Sequence, residues 1–160
     1  MATYRRSTVP GATYFFTVNT VQRQKILTEA PFYQALKQSL QAARAKHPFT
    51  IEALVLLPDH LHCIWTLPPD DGDFSIRWNM LKGRFSRAID TGERVSKSRI
   101  KRRERGIWQR RFWAHLIEDQ EDYNRHVDYI HWNPVKHGQV KKVIDLPKGI
   151  KALFKFSPLC

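Results

Sequence analysis

The sequence predicts an α+β fold: a four-stranded antiparallel sheet with two helices on one face and a further helix after the last strand. Three observations predict it. Four short runs, at 13–20, 49–57, 61–67 and 110–117, are rich in aromatic and β-branched residues. Two stretches between those runs repeat their apolar residues at helical spacing, and a third helical stretch follows the last run. The length, 160 residues, suits one domain with a real core and is short for two. In order the elements read β-α-β-β-α-β plus a helix, which is the ferredoxin-like pattern.

Each element has a local reason. "TYFFTVNT", residues 13–20, follows Pro10 and Gly11 and precedes a polar stretch, so it reads as the first strand. Pro31 suits the first turn of a helix whose stripe is Phe32, Leu36, Leu40 and Ala43, and Pro48 limits its far end. "FTIEALVLL" and "LHCIWTL" are two strands joined through Pro58 and Asp59 as a tight hairpin. After the loop "PPDDGD", Trp78, Leu81, Phe85 and Ile89 repeat at three and four, giving a second helix flanked by Arg77, Arg84 and Arg87. The run from about 92 to 106 is charged and poor in apolar residues and is expected to be a mobile loop. "RRFWAHLI" is the fourth strand, and Glu118 to Trp132 a third helix with Asp119 at its acidic start, ended or kinked by Pro134.

Composition narrows the function. The net charge is +12, and residues 94–111 hold nine Lys or Arg against one Glu. Clustered positive charge favours a polyanionic partner, nucleic acid first. Arg77, Arg84, Arg87, Arg102, Arg103, Arg105, Arg110 and Arg111 are the candidate phosphate contacts. No apolar run approaches the roughly 20 residues of a membrane span, and the start lacks the apolar core of a secretory signal, so a cytoplasmic protein without a membrane partner is expected. Cys63 and Cys160 stand far apart and in no metal-ligand spacing, which suggests neither a disulfide framework nor a thiolate zinc site.

The two histidines of "LPDHLHCIWTL" raise a sharper question. Side chains alternate along a strand, so His60, His62 and Ile64 share one face while Leu61, Cys63, Trp65 and Leu67 take the other. With the apolar set against the helices, both imidazoles are expected on the open face, about 7 Å apart at Cβ. They are two solvated polar residues or the start of a metal site, and a third ligand must come from elsewhere. "DYIHWNPVKHG" offers Tyr129 and Asn133 at i and i+4 on one helical face, where they are also compatible with packing and a helix end.

"HLH", "FW" and "YIHWNPVKHG" together resemble the REP-associated tyrosine transposases, single-tyrosine HUH enzymes, over about residues 4 to 143. The resemblance implies a ferredoxin-like catalytic domain over 1–143 and a tail over 144–160. It implies Tyr129 as nucleophile and a divalent metal, Mg²⁺ or Mn²⁺, on His60 and His62. Asn133 stands where related insertion-sequence transposases place a glutamine ligand one turn after the tyrosine. The implied activity is metal-dependent endonuclease and strand-transfer chemistry on single-stranded DNA with REP-type hairpins, through a 5′-phosphotyrosine, with DNA transposition and recombination as the setting. After the motif the chain departs from the family pattern and reads "DLPKGIKALFKFSPLC". Monomer and homodimer both fit.

Two other readings use the same residues. A non-catalytic ferredoxin-like RNA- or DNA-binding module would use sheet aromatics as stacking platforms but leaves Tyr129 and the histidines without a joint purpose. A metal-dependent nuclease using water would form no covalent adduct. Near Tyr129, His126 at i−3 is the one neighbouring histidine on the same helical side, Asp59 is placed to orient His60, and Trp78, Trp108 and Trp132 are available for either stacking or core packing.

Overall fold

The computed structural model describes residues 8–89, 107–136 and 152–154, without the side chains of residues 30, 133–136 and 152–154. The strands are β1 (Thr13–Asn19), β2 (Thr50–Leu56), β3 (His60–Thr66), β4 (Trp113–Leu116) and β5 (Ala152–Phe154). The helices are α1 (Ala30–Lys46), α2 (Phe74–Ala88) and α3 (Gln120–Lys136), with a 3-10 turn at Val21–Arg23. One sheet runs β4-β1-β3-β2-β5 with every neighbouring pair antiparallel. The expected α+β, ferredoxin-like arrangement is thus present in its four principal strands. The short fifth strand comes from the tail segment and pairs with the outer edge of β2. No helix among the described residues is long and apolar enough to cross a membrane.

The helices form where local chemistry starts and stops them. Pro31 occupies the first turn of α1, where its missing N–H costs nothing. Asp73 caps α2, its side chain accepting from Ile76 N at 3.0 Å. Asp119 does the same for α3, accepting from Asp122 N at 2.8 Å. Helix α3 continues past Pro134 to Lys136, so the proline does not end it. So near the C-terminus it removes one N–H bond from the last turn rather than breaking the helix interior.

One sheet face carries the large core. Tyr14, Phe16 and Val18 of β1 and Leu61, Cys63 and Trp65 of β3 meet Leu36, Leu40 and Ala43 of α1 and Phe74, Trp78, Leu81 and Phe85 of α2, all buried. Trp65 and Trp78 stack with centroids 4.2 Å apart. β2 joins this face by means of a bulge. Its pairing with β3 shifts between Ile51 and Ala53, so Glu52 is an extra residue and the face parity reverses there. Ile51, Leu54 and Leu56 thereby face the helices while Ala53, Val55 and Leu57 face the other way.

The other face is not open. Phe15, Ala53, Val55, Leu57 and Ile64 form a second, smaller cluster with Ile130, flanked by Tyr123 and Val127 of α3. The expectation of solvated histidines on a bare sheet face is therefore corrected: α3 returns across that face, and His60 and His62 are each only 4% exposed.

Candidate active site

The hairpin and the sheet register build the site. β2 and β3 are joined tightly, Leu57 N donating to His60 O at 2.9 Å across Pro58 and Asp59. This places His60 at the very start of β3 and His62 one repeat later on the same face. The two rings lie 4.9 Å apart, nearly perpendicular at 82°. Each is held from its Nδ1 edge. His60 Nδ1 lies 2.6 Å from Asp59 Oδ1, and His62 Nδ1 lies 2.7 Å from Thr17 Oγ1 on the neighbouring strand. Asp59 is held in turn by Arg23, whose Nε donates to Oδ2 at 2.9 Å while its Nη2 lies 3.2 Å from His60 Nδ1. Burial raises the Asp59 carboxyl pKa, but the hydrogen bonds from His60 and Arg23 outweigh it and hold the group below its ordinary value.

α3 brings the tyrosine. Ile130 anchors the helix in the second cluster, fully buried, and Tyr129 beside it is 36% exposed. The Tyr129 ring meets His62 edge-on at 5.1 Å and Phe15 at 5.9 Å. An open cleft of about 500 Å³ runs past it, lined by Phe15, Thr17, Trp113, Arg125, His126 and Tyr129. Tyr123, earlier on the same helix, is a different kind of tyrosine. It packs against the second cluster, and burial together with the Glu52 charge raises its pKa.

A buried carboxylate organises the start of α3. Asp122 Oδ2 accepts from Glu118 N at 2.9 Å and lies 2.9 Å from His115 Nε2. His126 Nδ1 is 2.8 Å from the Asp122 carbonyl oxygen and 3.1 Å from Oδ1, and Arg125 reaches Oδ1 at 3.3 Å. The Glu118 backbone N–H and the two imidazoles, working against burial, lower the Asp122 pKa to about 2. His115, Asp122 and His126 place three metal-capable ligand atoms within 4.8 Å of one another. Nothing in the sequence marks this cluster, because its members come from β4 and α3 and share no local motif.

The other predicted residues divide. Asn133 lies within α3, but its side chain is outside the described residues. Arg102, Arg103 and Arg105, with the expected mobile loop, also fall outside them. Arg77 is a correction: it is fully buried, and its guanidinium donates to the carbonyls of His47, Pro48 and Asp73 and to Asp71 Oδ2. It ties the end of α1 to the start of α2 and has no surface to offer a phosphate. Arg84 and Arg87 are exposed and line a groove between α1 and α2, on the helix layer opposite Tyr129. Arg110 and Arg111 are exposed just before β4. Trp78 and Trp108 are core residues, whereas Trp132 is 58% exposed. Thr17 and Arg23, two residues of the site that no motif marked, reach it through strand pairing and a turn.

A family model described as transposase IS200 like matches residues 8–133, a span that contains both histidines, the tyrosine and every described side chain that holds them. The chain belongs to the IS200-like transposase family. Within that family, it is 45% identical over 147 residues to the REP-associated tyrosine transposase of Escherichia coli (strain K12), covering 92% of this chain and 81% of that protein. A solved structure of a REP-associated tyrosine transposase bound to a REP hairpin matches with a TM-score of 0.75 and 42% identity, covering 97% of this chain and 82% of that one. This IS200-like transposase therefore shares its fold and most of its length with an enzyme class named for a tyrosine.

Proposed function

We propose that the protein is a metal-dependent endonuclease and strand transferase for single-stranded DNA carrying hairpins, with Tyr129 as nucleophile and a 5′-phosphotyrosine as intermediate. The observation that carries this reading is the contact between Tyr129 on α3 and His62 on β3, 5.1 Å between rings, at the mouth of an open cleft. The hairpin preference is supported by the REP hairpin bound to the 42% identical relative.

The residues fit the chemistry. Attack of Tyr129 Oη on a phosphodiester forms the Oη–P bond and breaks the P–O3′ bond, leaving a free 3′-hydroxyl. The phosphoester energy is retained, so a 3′-hydroxyl can attack the phosphotyrosine and rejoin the strands. His60 and His62 are each held at Nδ1, as an oriented metal-ligating histidine is, and their rings lie 4.9 Å apart. His60, His62 and the Asn133 amide would hold a Mg²⁺ or Mn²⁺ ion, which would polarise the phosphate and neutralise developing charge. Mixed nitrogen and oxygen donors suit Mn²⁺ at least as well as Mg²⁺. Asp59 and Thr17 fix the two rings, and Phe15 meets the tyrosine ring edge-on. Residues 1–143 form the catalytic unit, and 144–160 add the tail that supplies β5.

The test uses an end-labelled hairpin oligonucleotide with an unpaired flank, incubated with Mg²⁺ or Mn²⁺ and run on a denaturing gel. Wild-type protein is expected to retard a labelled strand covalently. Tyr129→Phe, which removes one oxygen, is expected to abolish that species while still binding the hairpin. An adduct of undiminished yield from the variant overturns the assignment.

A further inference from the structure

We propose that the cleft beside Tyr129 is a nucleobase subsite, in which one unpaired base adjacent to the scissile phosphate stacks on Trp113 while Arg125 holds a neighbouring phosphate. This rests on the reading of Tyr129 as nucleophile and adds the part of the substrate the site recognises.

The sheet register carries the inference. Trp113 pairs with Thr17, and Thr17 pairs with His62, so the three stand in one row across β4, β1 and β3 and project to one face. Trp113 is therefore on the face of the tyrosine and histidines, not on the helix side. It is 61% exposed, the most exposed large apolar side chain among the described residues. An indole left to water on an edge strand, next to a nucleophile, is the surface feature that single-strand binders use as a stacking platform. Phe15 supplies an apolar floor, and the cleft, about 500 Å³, lies within the size range of small-ligand sites.

Polar groups in the cleft complement a nucleotide. The Arg125 side chain is mostly exposed, and its contact with Asp122 at 3.3 Å leaves most of its guanidinium donors at the surface. His126 also lines the cleft, and with its Nδ1 committed to Asp122 its other ring nitrogen, Nε2, is the one that can pair with a base edge. The occupant this combination selects is a flat aromatic heterocycle attached to an anion. Because Tyr129 forms one wall, a phosphodiester placed for attack sits at the mouth, and the base one step along the strand falls inside.

The experiment is a fluorescence scan with the full-length protein. Single 2-aminopurine substitutions are placed along the unpaired flank of the hairpin and read in the presence of EDTA, so that binding is measured without cleavage. One position next to the cleavage point is expected to be quenched on binding. Trp113→Ala is expected to restore its emission and weaken hairpin binding about tenfold, with Trp113→Phe retaining most of both. Blunt duplex binding and the melting temperature should not move, since the side chain is exposed. Quenching and affinity unchanged in Trp113→Ala overturn the proposal, as does a signal that disappears in Trp132→Ala instead. Absence of a covalent adduct in the presence of metal, with the Trp113-dependent quench intact, sinks the nuclease reading and leaves the subsite standing.

Discussion

At the scale of single residues, the site shows how a carboxylate is used to fix an imidazole. Asp59 and Asp122 each sit at a point of backbone constraint, one in the hairpin turn and one at the start of α3, and each bonds the ring of a histidine. Asp122 is the more demanding of the two because it is buried and gathers a backbone N–H, two imidazoles and a guanidinium. Its pKa in the folded protein, about 2, lies below the 3.8 of an ordinary aspartate. The folded state therefore gains stability from the ionised carboxylate above about pH 4 and loses it as pH falls toward 2. Asp122→Asn is expected to lower the melting temperature at pH 7 and to differ much less from wild type at pH 2.5. Thermal unfolding at the two pH values checks this, and an undiminished gap in acid would assign the loss to shape rather than charge.

At the scale of elements, the helix that brings the tyrosine is attached by the smaller of two clusters. Ile130, Val127 and Tyr123 hold α3 to Phe15, Val55 and Ile64, while α1 and α2 share the aromatic core on the opposite face. Ile130→Ala is expected to cost about 2–5 kcal/mol as a buried truncation, with most of the loss local to α3. Adduct formation should then disappear on warming at a lower temperature than the near-ultraviolet signal of the Trp65–Trp78 core. Coincident loss of both would show that α3 and the core melt as one unit. The strands and the stripes of α1 and α2 were legible in the sequence because both follow from periods of two and 3.6 residues. The covering of the second face was not, since α3 docks there through contacts distant in sequence. For the same reason His60, His62 and Tyr129 could be picked out by local pattern, whereas Thr17 enters by cross-strand register, and the same register, not the "FW" motif, sets the face on which Trp113 stands. The Glu52 bulge was equally hidden, as an extra residue in an apolar run leaves no mark in composition. Arg77 misled because a basic residue on a helix flank looks the same in sequence whether it meets phosphate or carbonyl oxygens.

At the scale of the molecule, the net charge of +12 is large for 160 residues, and exposed arginines among the described residues stand on both sides of the sheet. Arg125 flanks the cleft on the α3 face, and Arg84 and Arg87 line a groove on the far side of the sheet. Among the described residues, attraction of a polyanion is thus available on both sides of the sheet, while local geometry is left to the cleft. Neutralising Arg102, Arg103 and Arg105 is expected to weaken binding across many DNA sequences and to lower the log–log salt slope by about 0.7 for each phosphate that the protein no longer neutralises. Binding isotherms at several salt concentrations check it, and an unchanged slope would remove these residues from the interface.

The 3-10 turn before α1 holds a last consequence. Gln22 and Arg23 both have φ of 53°, a left-handed conformation that a side chain at Cβ disfavours. Arg23 accepts that conformation at the place from which its guanidinium reaches Asp59 and His60. Stability and activity therefore pull in opposite directions on one residue. Arg23→Gly is expected to relax the turn while freeing the Asp59–His60 pair, giving a protein that melts no lower than wild type and forms adduct more slowly. A variant both slower and clearly less stable would mean that the guanidinium, not the backbone, dominates the energy of the turn.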